Sequence, residues 1–396
     1  MPETSRSSRI SHTMLWGYAH LPRNSRNRAT APSKLVSGFV KCSPWLHYRL
    51  DLLAPWGVSP YSNPFDMSIY SIEPLVLGEV HTYPLASRKS KVNVREFAKP
   101  AAPTNISLTK FLDSLPHILA AESLRQLLSA LQVARKQRKA ILWGMGGHVI
   151  KVGLGPVLVD LMDRGFVSGI AMNGAAMIHD FEIALAGNTS EDVEAALGEG
   201  QFGMAEETGK YLNEIAKLAQ RIRIGYGEAA GQFLNSGVVE AKHAESSVLA
   251  SAHKRRVPVS VHLAIGTDIP HMHPAAEGAA LGYATHRDFR LFCALTQQMH
   301  PGGVYLNWGS AVLLPEVFLK AVSVVRNLGI PLCPITTANF DFIQHYRPLQ
   351  NVVKRPTASG HSHKGPQSRG FAITGHHELM LPLVAAALAS GWPKKR

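Results

Sequence analysis

The chain predicts an α/β fold: a doubly wound, mostly parallel sheet with helices on both faces. Three observations carry this. Residues 152–182, VGLGPVLVDLMDRGFVSGIAMNGAAMIHDFE, run helix, strand, small-residue turn and helix in one unit. Short apolar strands alternate with helix-period segments from residue 140 onward, the pattern of a parallel sheet covered on both sides. Strand after strand ends in a turn of Gly, Ala, Asn, Ser or Thr, where backbone can approach a ligand beyond the carboxyl edge.

Taken in order, Leu75–Ala86 can supply a strand or two. Ser107–Ala134 has Leu108, Phe111, Leu112 and Leu115 at helical spacing, continuing over Leu119–Val133 after a break. A strand at Ala140–Trp143 meets the turn Gly144–Gly147. In the next unit Val157, Leu158, Leu161 and Met162 form a helix face that stops at Arg164-Gly165; Val167–Met172 is a strand; the chain turns at Asn173-Gly174-Ala175-Ala176 and restarts at His179-Asp180-Phe181-Glu182. Ser190–Ile222 opens with acids, as helix N-termini do. Gly227–Ala252 is mostly helical. Val257–Ala264 is a buried strand ending at Ile265–Asp268. Helix Asp288–Met299, strand Gly303–Trp308 with its Gly309-Ser310 turn, helix Glu316–Asn327 and strand Leu332–Thr336 follow. The loop Ser359–Gly370 precedes a last helix, Leu379–Ala389. The expected organisation is an extension over 1–66, a packing segment over 67–139 and a nucleotide-binding domain over 140–396.

Composition narrows the class. Hydrophobic residues make up 45% of the chain, enough for a sizeable core. The longest uncharged apolar run, Leu379–Trp392, is too short to span a bilayer. Cys42, Cys293 and Cys333 have no metal-like spacing, so a reducing, cytoplasmic setting is expected. The net charge of +13 is spread over scattered clusters without aromatic interleaving, and residues 1–66 alone hold eight Lys/Arg against three acids. No nucleic-acid or membrane partner is expected. That Arg- and Ser-rich opening reads as sequence upstream of a start at Met67, with a transit peptide as the alternative.

In a parallel sheet the strand ends share one edge, so Gly144–His148, Asn173–Asp180, Gly266–His273, Gly309–Ser310 and Thr336–Asp341 can converge. Asp180, Asp268 and Asp341 are candidates to hold ribose hydroxyls or a cationic substrate. No GxGxxG occurs. His271 and His273 could ligate a metal, but no third ligand is identifiable, and no metal is expected. His376-His377-Glu378 can be a site edge or a helix start.

The collinear motifs VSGIAMNGAAMIHDFEIAL, RRVPVSVHLAIGTDIPHM, GGVYLNWGSAVLLPEVFLKA, ITTANFDF and HELMLPLVAAAL, all after residue 140, resemble the deoxyhypusine synthase superfamily. The resemblance implies a Rossmann-like fold that binds NAD and assembles as a homotetramer. Its NAD-contacting turns would fall at Gly147, Asn173-Gly174-Ala175, Gly309-Ser310 and Thr336-Thr337-Ala338, with Asp341 nearby. Asp180 matches one acid of the family's acidic run, whose two preceding acids are Ile178 and His179 here. The family's Lys-His-His becomes Leu314-Pro315-Glu316, and Lys354 is the lysine near its active-site position. NGAAMIHDFE also resembles the ornithine cyclodeaminase domain of bifunctional arginine dihydrolases.

Both resemblances imply one chemistry: NAD takes hydride from an amine-bearing carbon, and a nucleophile attacks the imine. The expected roles are His179 as base, Asp268 as a second catalytic group and Lys354 as covalent carrier. Asp180, Glu182 and His273 would hold a small cationic amine, with a protein acceptor for an aminoalkyl group. The alternatives are an ornithine cyclodeaminase-like enzyme, a nucleotide-binding homologue without turnover, and a metal hydrolase using the His pairs.

Overall fold

Among the described residues six short segments become strands, most of them apolar and buried. They are β1 (Ile141–Met145), β2 (Gly169–Asn173), β3 (Val259–His262), β4 (Val304–Trp308), β5 (Thr336–Asp341) and β6 (Arg369–Thr374). They form one sheet in the order β3-β2-β1-β4-β5-β6, every pair parallel. This is the Rossmann-like, doubly wound order, in which the direction of winding reverses between β1 and β4. The computed structural model describes residues 75, 80–84, 87, 93–100, 107–358 and 367–393. The chain divides into Met1–Thr82 and Tyr83–Arg396, and the sheet belongs to the second unit. The expected extension 1–66 and the loop over 359–366 lie outside the described residues.

Alternation along the strands sends side chains into two cores. Ile141, Trp143 and Met145 face one way, with Ile170, Met172, Leu306, Trp308 and Phe340. Leu142, Ala171 and Tyr305 face the other, with Phe292 and Phe318. Trp143 stacks on Trp308 at 5.7 Å and Trp308 on Phe340 at 3.9 Å, an aromatic row across β1, β4 and β5.

The core on the first face takes residues from α1 (Leu108–Ser114), α2 (Leu119–Lys136), α3 (Gly147–Lys151), α4 (Gly155–Asp163), α5 (Gly174–Ala186), α7 (Glu206–Ile222), α8 (Tyr226–Asn235) and α9 (Val248–Lys254), whereas the short α6 (Val193–Leu197) buries none. On the second lie α10 (Gly278–Gln297) and α11 (Leu313–Asn327). In α2 the buried residues Leu124, Leu127, Leu128, Leu131 and Ala134 recur at three and four, a stripe facing the sheet. Each such leucine contributes roughly 2 kcal/mol of burial. After β5 come α12 (Tyr346–Pro348) and a π-helical stretch, Leu349–Lys354; α13 (His377–Ala389) closes the unit.

Three expectations are corrected. The fifth strand is Thr336–Asp341, not Leu332–Thr336, because Pro331 and Pro334 have no N–H to give a ladder. The stretch Arg369–Thr374 is an edge strand rather than the end of a loop; Phe371 and Ile373 alternate inward with exposed neighbours. The described residues of Leu75–Ala86 form no strand.

Candidate functional site

At the carboxyl edge the turns after β1 and β4 press together. Gly146 donates its N–H to the Trp308 carbonyl (2.9 Å), and a Cβ on Gly146 would overlap the Gly309 carbonyl oxygen. Gly309 has φ +64°, a left-handed conformation that favours glycine, and the His377 ring lies directly on it. Here the winding reverses, and here a ligand crevice is expected of such a sheet.

Asn173 and Ser310 already have work for their side chains. Asn173 Oδ1 accepts from the Ala176 N–H (2.9 Å) as the N-cap of α5, and Ser310 Oγ accepts from the Leu314 N–H (3.1 Å) at the start of α11. What these turns offer a ligand is small size and backbone. Asp268 lies against Gly174, where a Cβ would collide with its carboxylate. Its Oδ2 is buried without a hydrogen-bond partner. Burial, first, raises its pKa, against the nearby His271 and hydrogen bonds from Ala264 and Thr267. A buried carboxylate oxygen without a partner is costly unless a donor reaches it, and a ribose hydroxyl or an ammonium would serve.

His179 and Glu182 do come together, through a residue the sequence reading did not single out. His179 Nδ1 lies 2.7 Å from Thr189 Oγ, and Thr189 donates its hydroxyl to Glu182 Oε2. Thr208 donates to the other oxygen, Oε1, at 3.1 Å. Because the Thr189 proton is committed to Glu182, its oxygen accepts from the imidazole. Nδ1 therefore carries the hydrogen and Nε2 the lone pair. The ring edge at Cδ2, next to Nε2, lies 3.1 Å from where a Cβ on Gly147 would stand, so the free nitrogen sits on the side of the β1 turn. Burial, and after it the charge of Lys151, hold the His179 pKa below its usual 6.5, leaving the ring neutral at pH 7.

Beyond Thr189 opens a cleft of about 700 Å³ lined by Glu182, Thr189, Glu191, Glu207, Thr208 and Ile269, among others, with no lysine or arginine in its wall. In a chain of net charge +13 this is an acidic enclave. It fits a cation.

Four expectations fail on geometry. Asp180 is wholly buried: its carboxylate accepts from Ser247 Oγ (2.6 Å), the Val248 N–H (2.7 Å) and the Leu249 N–H (2.9 Å), tying α5 to the N-terminus of α9. It cannot reach a substrate. His273 packs its ring on Gly209, accepts from the Ala275 N–H (3.1 Å) and meets Glu206 at 3.4 Å, holding a loop to α7 rather than an amine. Thr336, Thr337 and Ala338 are strand residues at the amino end of β5, and Thr337 donates to the Val352 carbonyl (2.6 Å) beneath the sheet. The same contact removes Lys354. Val352 and Val353 lie against Thr337 and Gly370, at the starts of β5 and β6, and Lys354 beside them is exposed at the edge opposite the glycine turns. Lys354→Ala is therefore expected to leave ligand binding and turnover within about twofold of the parent, as for other surface changes; calorimetry and steady-state rates check this.

Asp341 does lie at the carboxyl edge, ending β5 and accepting from the Phe342 N–H (2.9 Å). His148 and His377, brought to 3.0 Å from sequence positions 229 apart, escaped sequence reading as a pair. No local signal joins them. Among the described residues no group of three or more His, Cys, Asp or Glu is arranged to hold a metal, the HMH pair included. No described helix is long and apolar enough to cross a membrane.

His262, in register with Asn173 at the end of β3, is buried, with Ser260 Oγ at 3.0 Å. Burial pushes its pKa down to about 3. Between pH 6.5 and 3 the unfolded chain binds this proton and the folded chain does not, so stability is present above pH 6.5 and lost as pH falls. The slope from this one group approaches about 1.4 kcal/mol per pH unit. In His262→Gln, urea unfolding across this range is expected to lose about one proton's worth of that slope.

No family model matches the sequence, and no curated protein does. Solved structures similar to it include a conserved protein of the LOR/SDH type from Methanococcus maripaludis, at 14% identity and TM-score 0.41 over 69% of this chain and 70% of that one. They include AgrE in its complex with ornithine and NAD+, at 16% identity and TM-score 0.43 over 68% of this chain and 33% of that one. A protein assigned as a deoxyhypusine synthase from Entamoeba histolytica matches at 11% identity and TM-score 0.40, over 74% and 96%. This chain thus spans about a third of AgrE.

Proposed function

We propose that this chain is an NAD-dependent enzyme that oxidises a small cationic amine. The observation that carries the proposal is the acidic cleft joined through Thr189 to a neutral histidine whose free nitrogen is on the side of the β1 turn. Oxidising the ammonium-bearing carbon, H–C–NH3+, to the iminium, C=NH2+, removes one proton and one hydride. His179 Nε2 is the acceptor for the proton; Glu182, Glu191 and Glu207 hold the remaining positive charge, and Asp268 Oδ2 is an acceptor for an ammonium or a ribose hydroxyl. NAD, held by the backbone of Gly147, Asn173–Ala175 and Gly309–Ser310 with Asp341 at the rim, would supply the hydride acceptor. Strand order and tight glycine turns at the point of reversal support that placement.

Transfer of an aminoalkyl group from a spermidine-type substrate to a second nucleophile is the leading version, in a cytoplasmic homotetramer with a protein as one acceptor. Lys151 favours a second version. It is close enough for its charge to act on His179, and it would pair with the carboxylate of an amino acid such as ornithine.

The test is titration calorimetry of NAD into the full chain, followed by absorbance at the reduced-nicotinamide band with spermidine, putrescine and ornithine. Amine-dependent reduction is expected, and the responsive amine separates the two versions. Binding without reduction would leave a nucleotide-binding homologue; absence of binding would overturn the proposal.

A further inference from the structure

His377, the first residue of α13, is fully buried on Gly309. Its Nε2 lies 3.3 Å from the Phe340 carbonyl. A carbonyl only accepts, so Nε2 carries the hydrogen. Burial above all holds the ring below its ordinary pKa; the Phe340 carbonyl, Asp341 at 3.9 Å and Glu378 act the other way, and His148 adds to the lowering. A neutral His377 protonated on Nε2 presents a lone pair at Nδ1, and that atom is 3.0 Å from Nδ1 of His148. Two facing nitrogens share one hydrogen, so His148 must donate it. With its hydrogen on Nδ1, a singly protonated His148 ring keeps its lone pair on Nε2, for which no partner is seen among the described residues.

The position is as telling as the tautomer. His148 directly follows Gly147, and His179 rests against Gly147 from α5, so two imidazoles bracket the turn after β1. His148 is half-buried, with Phe342 walling it at 5.9 Å between ring centres. Neither expected relative's motifs assign this pair.

We propose that His148 is a second proton acceptor of this site, its tautomer set by His377 as a positioning residue, and that it serves the nucleophile which consumes the iminium. This rests on the amine-oxidation reading. When a nucleophile Nu–H adds to the iminium C=NH2+, the Nu–C bond forms from a lone pair on Nu and the C=N π pair returns to nitrogen. The Nu–H proton passes to His148 Nε2, leaving the neutral adduct Nu–C–NH2 and an imidazolium. Oxidation and addition each release one proton, and the site holds one imidazole for each.

The test is two-bond 1H–15N spectroscopy of the histidine rings in the full chain at pH 7.5 without added nucleotide, with His148→Gln assigning the resonance. Expected is a His148 ring with Nδ1 protonated and Nε2 bare, reverting to the Nε2-protonated form in His377→Phe, which fills the space but accepts nothing. An Nε2-protonated or doubly protonated His148 in the parent, or no change in His377→Phe, overturns the proposal. With the responsive amine, single turnover of His148→Gln is expected to retain hydride transfer while product formation from the iminium falls about 100-fold or more. Product formation within tenfold of the parent also overturns it. Failure of NAD to bind in the calorimetry would instead overturn the amine-oxidation reading and the iminium step with it, while the tautomer result is read independently.

Discussion

Asp180→Ala is expected to destabilise the protein by about 3–5 kcal/mol, the range for removing one partner from a buried, charge-assisted network. The substitution strands three donors at once: the Ser247 hydroxyl and the Val248 and Leu249 N–H groups, all buried at the start of α9. Helix α9 then keeps its Ser247 N-cap but loses the acceptor of its first two N–H groups and its tie to α5. Asp180→Asn keeps one acceptor oxygen but turns an amide toward donors, and an intermediate loss of about 1–3 kcal/mol is expected. Urea unfolding followed by circular dichroism reads both, and the Asn variant remains informative if the Ala variant does not fold. A loss below about 1 kcal/mol in Asp180→Ala would show that the carboxylate does not hold α9, and would restore it as a candidate for ligand contact. Burial pushes this carboxyl up to about 6, with the three hydrogen bonds pulling the other way.

His179→Gln is expected to lower kcat with the responsive amine by about 10²–10⁴, the usual contribution of a positioned base. Glutamine retains much of the shape and one hydrogen bond toward Thr189 but cannot take the proton. The pH profile separates a base from a structural histidine. Rate in the parent should rise with pH through a midpoint below 6.5, because burial and Lys151 favour the neutral ring, and then level off. That limb should vanish in His179→Gln. In Lys151→Met it should move to higher pH, since removing a positive charge lets the imidazole hold its proton longer. Glu182→Gln gives a third reading. Its amide can donate to Thr189, freeing the hydroxyl to donate to His179 and push the hydrogen to the wrong nitrogen. A His179→Gln rate within tenfold of the parent would remove this residue from the chemistry.

Asp180 and Glu182 show how far the sequence reading could go. They are two residues apart on α5, and by sequence both are candidate cation holders. On a helix, positions 177, 180, 181 and 184 share one stripe, and Met177, Phe181 and Ala184 are its buried members. Asp180 therefore falls on the core face, whereas His179 and Glu182 fall beside it, only partly buried. The spacing carried this distinction. What it lacked was the buried partner: the Ser247 hydroxyl and N–H groups that make an acid acceptable there come from 67 to 69 residues away. Asp288 repeats the arrangement, accepting from the Gly227 N–H where α8 begins and from the Val261 N–H of β3.

By itself, the sequence determined the α/β class, four of the six strands and the small-residue turns after β1, β2 and β4. Apolar runs bounded by glycine and asparagine are local signals, and a parallel sheet follows once helices separate the strands. It placed His179 and Glu182 beside a turn. Tertiary structure alone decided the rest. The position of β5 depended on where prolines stop donating to a neighbour, and β6 on an edge half open to solvent. Thr189 linked His179 to Glu182, and crossing connections set His148 on His377 while carrying Lys354 to the far edge. The physical reason is common to all of these. Periodicity reports which face of an element is buried; only the packed chain reports which donor finds which acceptor across it.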